Sequence, residues 1–198
     1  TAVDVLDTLH SAFGFSHLFS HQETGNDLTF KRDIRVGRWA KAKQVAWVEH
    51  EQQGVVRRLR TRDGWAAQWN KKMSVPIIET PQRIEAISGI ETTGIMAPEH
   101  FGLVTRQNWQ EAGEKAAHQT LKSFLTERGQ NYQFEMSSPL EGERGCSRMS
   151  PYLAYGAISM KQTYQALNAQ RRRVKMQRDA GRKAVSYTHL TLPTMDSV

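Results

Sequence analysis

Cys146-Ser147-Arg148-Met149-Ser150-Pro151-Tyr152-Leu153-Ala154-Tyr155-Gly156 is the stretch that decides how this chain is read. Proline is favoured in the first turn of a helix, where its missing N–H would have no partner anyway, so Pro151 predicts a helix start with Ser150 as its N-cap. Such a start aims free backbone N–H groups and the positive end of a helix dipole at one point, and Ser147 and Ser150 place hydroxyls around it. Those are the donors that a diphosphate takes up, and the segment predicts a dinucleotide cradle. The same residues also suit a plain helix cap, because Ser-Pro helix starts are common.

The wider string separates the two readings. CSRMSPYLAYGAIS, from Cys146 to Ser159, resembles the flavin-contacting motif of the cryptochrome/DNA photolyase family, S-R-L-S-P-x-L-A-x-G-x-[IL]-S after a small residue, with Cys146 and Met149 as variants. Tyr132, followed by Met136-Ser137-Ser138-Pro139, resembles that family's approach to the same site. Ser20-His21-Gln22-Glu23-Thr24-Gly25-Asn26, with Thr29-Phe30-Lys31-Arg32-Asp33, resembles the S-H-x-E-T-G-N-x-x-T-[YF]-x-R-D signature of its amino-terminal α/β domain. Gly54-Val55-Val56-Arg57-Arg58-Leu59 and Arg62-Asp63-Gly64-Trp65 continue the likeness, which runs from about Val3 to about Lys183.

The resemblance implies a flavin-dependent, light-driven DNA repair lyase that splits cyclobutane pyrimidine dimers by electron transfer from reduced FAD. It implies FAD-binding roles for Tyr132, Cys146, Ser147, Arg148, Met149 and Ser150. The two serines would supply hydroxyl or backbone hydrogen bonds to the diphosphate, the other three loop residues main-chain groups, and Tyr132 a packing surface. Arg148 either touches phosphate or braces the loop through an ion pair. Asn26 and Asp27 fall where some family members contact a folate-type antenna. Damaged DNA is the implied partner of a monomeric protein. No catalytic residue and no metal ligand is assigned: the seven histidines and one cysteine lack metal-ligand spacing. Where family members often carry a basic residue after the tyrosine, this chain has Gln133, Phe134 and Glu135.

Reading outward along the chain, Val5, Leu6, Leu9 and Phe13 recur at helical spacing from about Ala2, with Gly14 as a C-cap. A short strand from Phe15 to Ser20, a helix from about Asp27 to Lys43 and a strand from Val45 to Val48 follow. This alternation predicts an α/β fold, a partial Rossmann-like parallel sheet followed by part of an all-α FAD-binding domain, mostly helical overall. Two strands are few for a sheet covered on both faces, and the resemblance implies further βα units ahead of Thr1. Residues 1–73 are read as the C-terminal part of the α/β domain, 74–110 as an aperiodic connector, and 111–184 as the N-terminal part of the helical domain. There Ala116, Leu121, Phe124 and Leu125 share a stripe with Gly129 closing the helix, and a long helix runs from about Ser159 to Arg178. The five tryptophans are read as core and boundary aromatics. Residues 185–198 resemble a translated sequencing-adapter end and are expected to be a non-native, poorly ordered tail. The chain is thus read as a fragment truncated at both ends, with little or no activity by itself.

With 38% hydrophobic residues among 198, the chain can bury a core. One cysteine rules out an internal disulfide and suits a reducing compartment. The lack of a run of ~18 apolar residues and of a basic-then-apolar leader predicts a cytoplasmic protein with no membrane span. The net charge of +7 is concentrated: six basic residues stand against Asp63 between Arg57 and Lys72, and seven against Asp179 between Asn168 and Lys183. Two basic segments on an otherwise acidic chain suit phosphate-backbone binding, though either could be a solvated helix face. Two alternatives to the repair enzyme stay open: a cryptochrome-type photoreceptor, and a basic nucleic-acid-binding protein without cofactor.

Overall fold

The computed structural model describes residues 1–90, 94–104 and 109–179. The predicted tail, residues 185–198, lies outside them. The chain divides into two compact units, one of Thr1–Ser74 with Ser159–Tyr164, the other of Val75–Ile158 with the residues from Gln165 onward.

In the first unit, helix α1 (Ala2–Phe13) is closed at both ends by its own sequence: Thr1 and Asp4 cap each other reciprocally, and Gly14, at φ 62°, donates its N–H to the His10 carbonyl at 2.8 Å. Strand β1 (His17–His21) follows, then helix α2 (Asp27–Ala42) and strand β2 (Ala46–His50). The strands pair in parallel, His17 beside Ala46 and His21 beside His50, as a crossover helix requires. Trp39, Ala40 and Val45 are buried between helices and sheet, with Val3, Leu6, Phe15, Leu18 and Trp47 packed around them. Both indoles are satisfied, Trp39 donating to Asp7 and Trp47 to the Ser20 hydroxyl, each at 3.0 Å. On the other face His17, Phe19 and His50 form an open ladder of stacked rings, and Phe19 is 65% exposed.

Helix α3 (Trp65–Ser74) was not legible in the basic segment, although Trp65, Trp69 and Met73 stand one helical turn apart. Trp69 and Met73 are buried, and Trp69 meets Tyr164 edge to face at 5.0 Å. Gly54, at φ 74°, lies against this indole: a Cβ there would be 2.5 Å from Trp69 Cδ1.

In the second unit the regular structure among the described residues is all helical. Among the described residues of the connector, a 3-10 turn (Pro98–Phe101) stands between irregular stretches. Helices α4 (Glu114–Thr126), α5 (Tyr132–Glu135), α6 (Gly142–Gly145), α7 (Ser150–Ala154) and α8 (Met160–Asp179) follow, the first five residues of α8 grouping with the first unit. Ala116, Ala117, Leu121, Phe124 and Leu125 of α4 form one core with Met149, Tyr152, Ile158 and Val174. The stripe read from the sequence is therefore the buried face of α4. Gly129 does not cap α4, which ends at Thr126; it lies in a 3-10 turn (Arg128–Asn131) because a side chain there would strike the Phe124 carbonyl oxygen at 2.6 Å. Trp109, expected in a core or boundary, is 75% exposed in its unit.

Candidate functional site

The chain around the quoted stretch is built by its neighbours more than by its own helix. Helix α7 begins at Ser150, so Met149 and not Ser150 occupies the cap position, and no side chain caps it. The reason lies one residue earlier. Arg148 adopts φ 61°, a left-handed turn that brings Met149 into helical geometry (φ −84°, ψ −15°) ahead of the serine. A left-handed residue followed by a right-handed one points successive N–H groups into a shared concavity, a nest that favours anions. A five-residue helix contributes only a small dipole, so the nest supplies most of the local positive field.

The carbonyls of this segment are occupied from behind. The Arg128 guanidinium donates to the carbonyls of Arg144 and Cys146, both at 2.8 Å, of Ser147 at 3.4 Å and of Thr120 at 3.1 Å, and its Nε donates to the Ser123 hydroxyl at 3.0 Å. Gln110 donates its amide to the Arg148 carbonyl at 2.9 Å. Tyr152, buried in the core, donates its hydroxyl to the Glu111 carbonyl at 2.7 Å and accepts one from Thr120. Met149 fixes the segment from within, its side chain being 3% exposed.

Among the described residues, the backbone N–H groups of Ser147, Arg148, Met149 and Ser150 have no protein acceptor, and neither serine hydroxyl has a partner. Arg148 pairs with no carboxylate there, so of its two expected roles the ion-pair brace is not seen, and the loop is braced by the charge-assisted bonds of Arg128. Burial, and after it the nearby Arg148 charge, lowers the Arg128 guanidinium from its ordinary pKa. Two neighbouring cations and a run of unpaired donors are a local environment for an anion.

The sequence-predicted residues thus fall into two groups. Cys146, Ser147, Arg148, Met149 and Ser150 form this continuous donor segment. Tyr132 lies on α5 and meets Phe124 edge to face at 5.7 Å, half-buried against the α4 core. Arg128 and Gln110 were missed, because their bonds reach residues 16 to 38 positions away and leave no local pattern.

A second concavity lies in the first unit. Glu23, Thr24, Gly25, Asn26, Asp27, Phe30, Arg57 and Arg58 line a pocket of about 340 Å³ at the start of α2. Arg57 builds its wall, donating to the Glu23 carbonyl at 2.8 Å and pairing with Glu49 and the buried Asp33, both at 3.0 Å. Arg58 stands beside it at φ 59°.

No family model and no curated protein matches the chain. Among solved structures it is similar to a bacterial class III photolyase from Agrobacterium tumefaciens, at 18% identity and a TM-score of 0.66 over 84% of this chain. The match extends over 37% of that protein, so the chain spans little more than a third of its length. The fold is of the photolyase class, an α/β unit followed by helices, as the two motifs implied. No helix among the described residues is long and apolar enough to cross a membrane.

Proposed function

We propose that this chain is part of a flavin-dependent photolyase, a light-driven lyase acting on pyrimidine dimers in DNA, and that residues 146–150 hold the diphosphate of FAD. The observation that supports this reading is the donor-rich surface of the loop: among the described residues, four consecutive free N–H groups and two free hydroxyls stand beside an unpaired Arg148. A diphosphate presents only acceptors and negative charge, so it complements that surface, whereas a neutral or cationic ligand does not.

In this reading Ser147 and Ser150 donate hydroxyl bonds, the nest of Arg148 and Met149 donates main-chain bonds, and the Arg148 charge offsets that of the phosphates. Tyr132, held by Phe124, offers a flat surface to the same cofactor. Reduced flavin supplies the transferable electron when it is bound. The protein's part is to hold the cofactor and to admit a dimer flipped from the duplex, two linked bases whose pairing and stacking are already weakened. We assign the pocket at Asn26 and Asp27 to a folate-type antenna, whose glutamyl carboxylate suits the exposed Arg58 on its wall.

The test is purification in the dark of the intact protein that contains this chain, followed by its absorbance spectrum and by light-dependent loss of dimers from irradiated DNA. A flavin spectrum with photorepair supports the reading. A flavin spectrum without repair favours a photoreceptor, and a colourless protein that refuses added FAD leaves only a basic nucleic-acid-binding scaffold.

A further inference from the structure

We infer that Arg128 is the positioning residue of the 146–150 loop, gathering the carbonyls of Arg144, Cys146 and Ser147 behind it so that the donors of the loop are left to face a diphosphate. The inference rests on the diphosphate reading of that loop.

Each peptide unit carries a donor and an acceptor pointing in opposite directions, so a loop that presents a run of N–H groups on one side must dispose of its carbonyls on the other. Here one guanidinium takes those of Cys146 and Ser147 together with that of Arg144 at the end of α6, and a further one from α4, the Thr120 carbonyl, locks its orientation together with the Ser123 hydroxyl. Phe124 lies beneath it, the guanidinium carbon 5.9 Å from the ring centre. A planar fork with five donors fits such a set, and an ammonium with three cannot reach it from one point. Arg128 also begins the turn that leads into Tyr132, so one residue sets the loop and starts the segment carrying the second predicted contact. Arg128 touches no reacting group; it acts through the loop.

The test compares FAD with riboflavin, which lacks the diphosphate, on the intact protein. Arg128→Lys is expected to raise the Kd for FAD about tenfold or more while leaving that for riboflavin within about twofold. Equal weakening of both ligands would mark a general loss of structure and overturn the inference, as would an unchanged FAD affinity. Should Arg128→Lys fail to fold, Ser123→Ala removes the hydroxyl that holds Nε, and it is expected to weaken FAD severalfold with riboflavin spared. The rate of Cys146 alkylation, read by mass spectrometry, separates this inference from the flavin reading. If the wild-type protein refuses FAD but Arg128→Lys speeds alkylation severalfold, the loop is held as described and only its ligand is wrong. An unchanged alkylation rate would show that Arg128 does not set the loop.

Discussion

At Gly129 a single methyl group meets backbone that cannot give way: a Cβ there would lie 2.6 Å from the Phe124 carbonyl oxygen and 2.9 Å from its ring. Gly129→Ala is therefore expected to destabilise the helical unit by about 1–3 kcal/mol, seen as a lower urea midpoint. An unchanged midpoint would mean that the turn relaxes freely. Asp7 offers a different test, through protonation. Its hydrogen bond from Lys43, and then that from the Trp39 indole, hold its carboxyl below the ordinary value of 3.8. A carboxylate with a lowered folded pKa contributes stability above its unfolded value and loses that contribution as pH falls through the folded one. Asp7→Asn should accordingly cost stability at neutral pH, with the difference from wild type shrinking below pH 3.8. Denaturation curves at several pH values check this, and a difference that grows in acid would contradict it.

Among the elements, α2 depends on one side chain for its start, the Asn26 amide oxygen that accepts the Thr29 N–H at 3.1 Å. Asn26→Ala should cost about 1 kcal/mol in thermal or urea unfolding, and Asn26→Asp little. This start was legible because capping is local: the cap and its partner are three residues apart, as are Thr1 and Asp4 at α1. The alternation of helix and strand through His50 was legible for the same reason, each change marked by a glycine, asparagine or switch in hydrophobic period. Helix α3 was not, because arginines and lysines dominate its approach while the apolar signal rests on only Trp65, Trp69 and Met73. The donor loop shows both limits. Its residues were visible as a string, but the free N–H groups depend on the φ of Arg148 and on bonds from Arg128 and Gln110, and the string encodes neither. The expectation of a Ser150 cap failed on that same backbone turn.

On the scale of the whole molecule, the basic segments divide their cations between internal ion pairs and open surface. In the first, Arg57 is spent on Asp33 and Glu49, and Lys72 on Glu51, while Arg58, Arg60, Arg62 and Lys71 are exposed with no ion pair among the described residues. On α8, Arg171, Arg172, Arg173 and Lys175 are exposed, with no ion pair among the described residues. Unpaired exposed cations release counterions from nucleic acid, whereas paired ones have little left to give. Replacing Arg171, Arg172 and Arg173 with glutamine should therefore flatten the dependence of log K on log salt for duplex DNA by up to roughly 0.9 per residue. Arg57→Gln should leave that slope alone and lower stability instead. Equal slopes for all the variants would remove α8 from the DNA surface.

The ladder of His17, Phe19 and His50 governs how the chain behaves in a test tube. Aromatic rings standing open on a parallel strand pair invite like surfaces to meet, and a polypeptide of residues 1–198 should scatter light increasingly as it is concentrated at neutral pH. Phe19→Lys, which puts a charge in the middle of the ladder, is expected to keep the solution clear, and equal scattering from this variant would clear the ladder of blame.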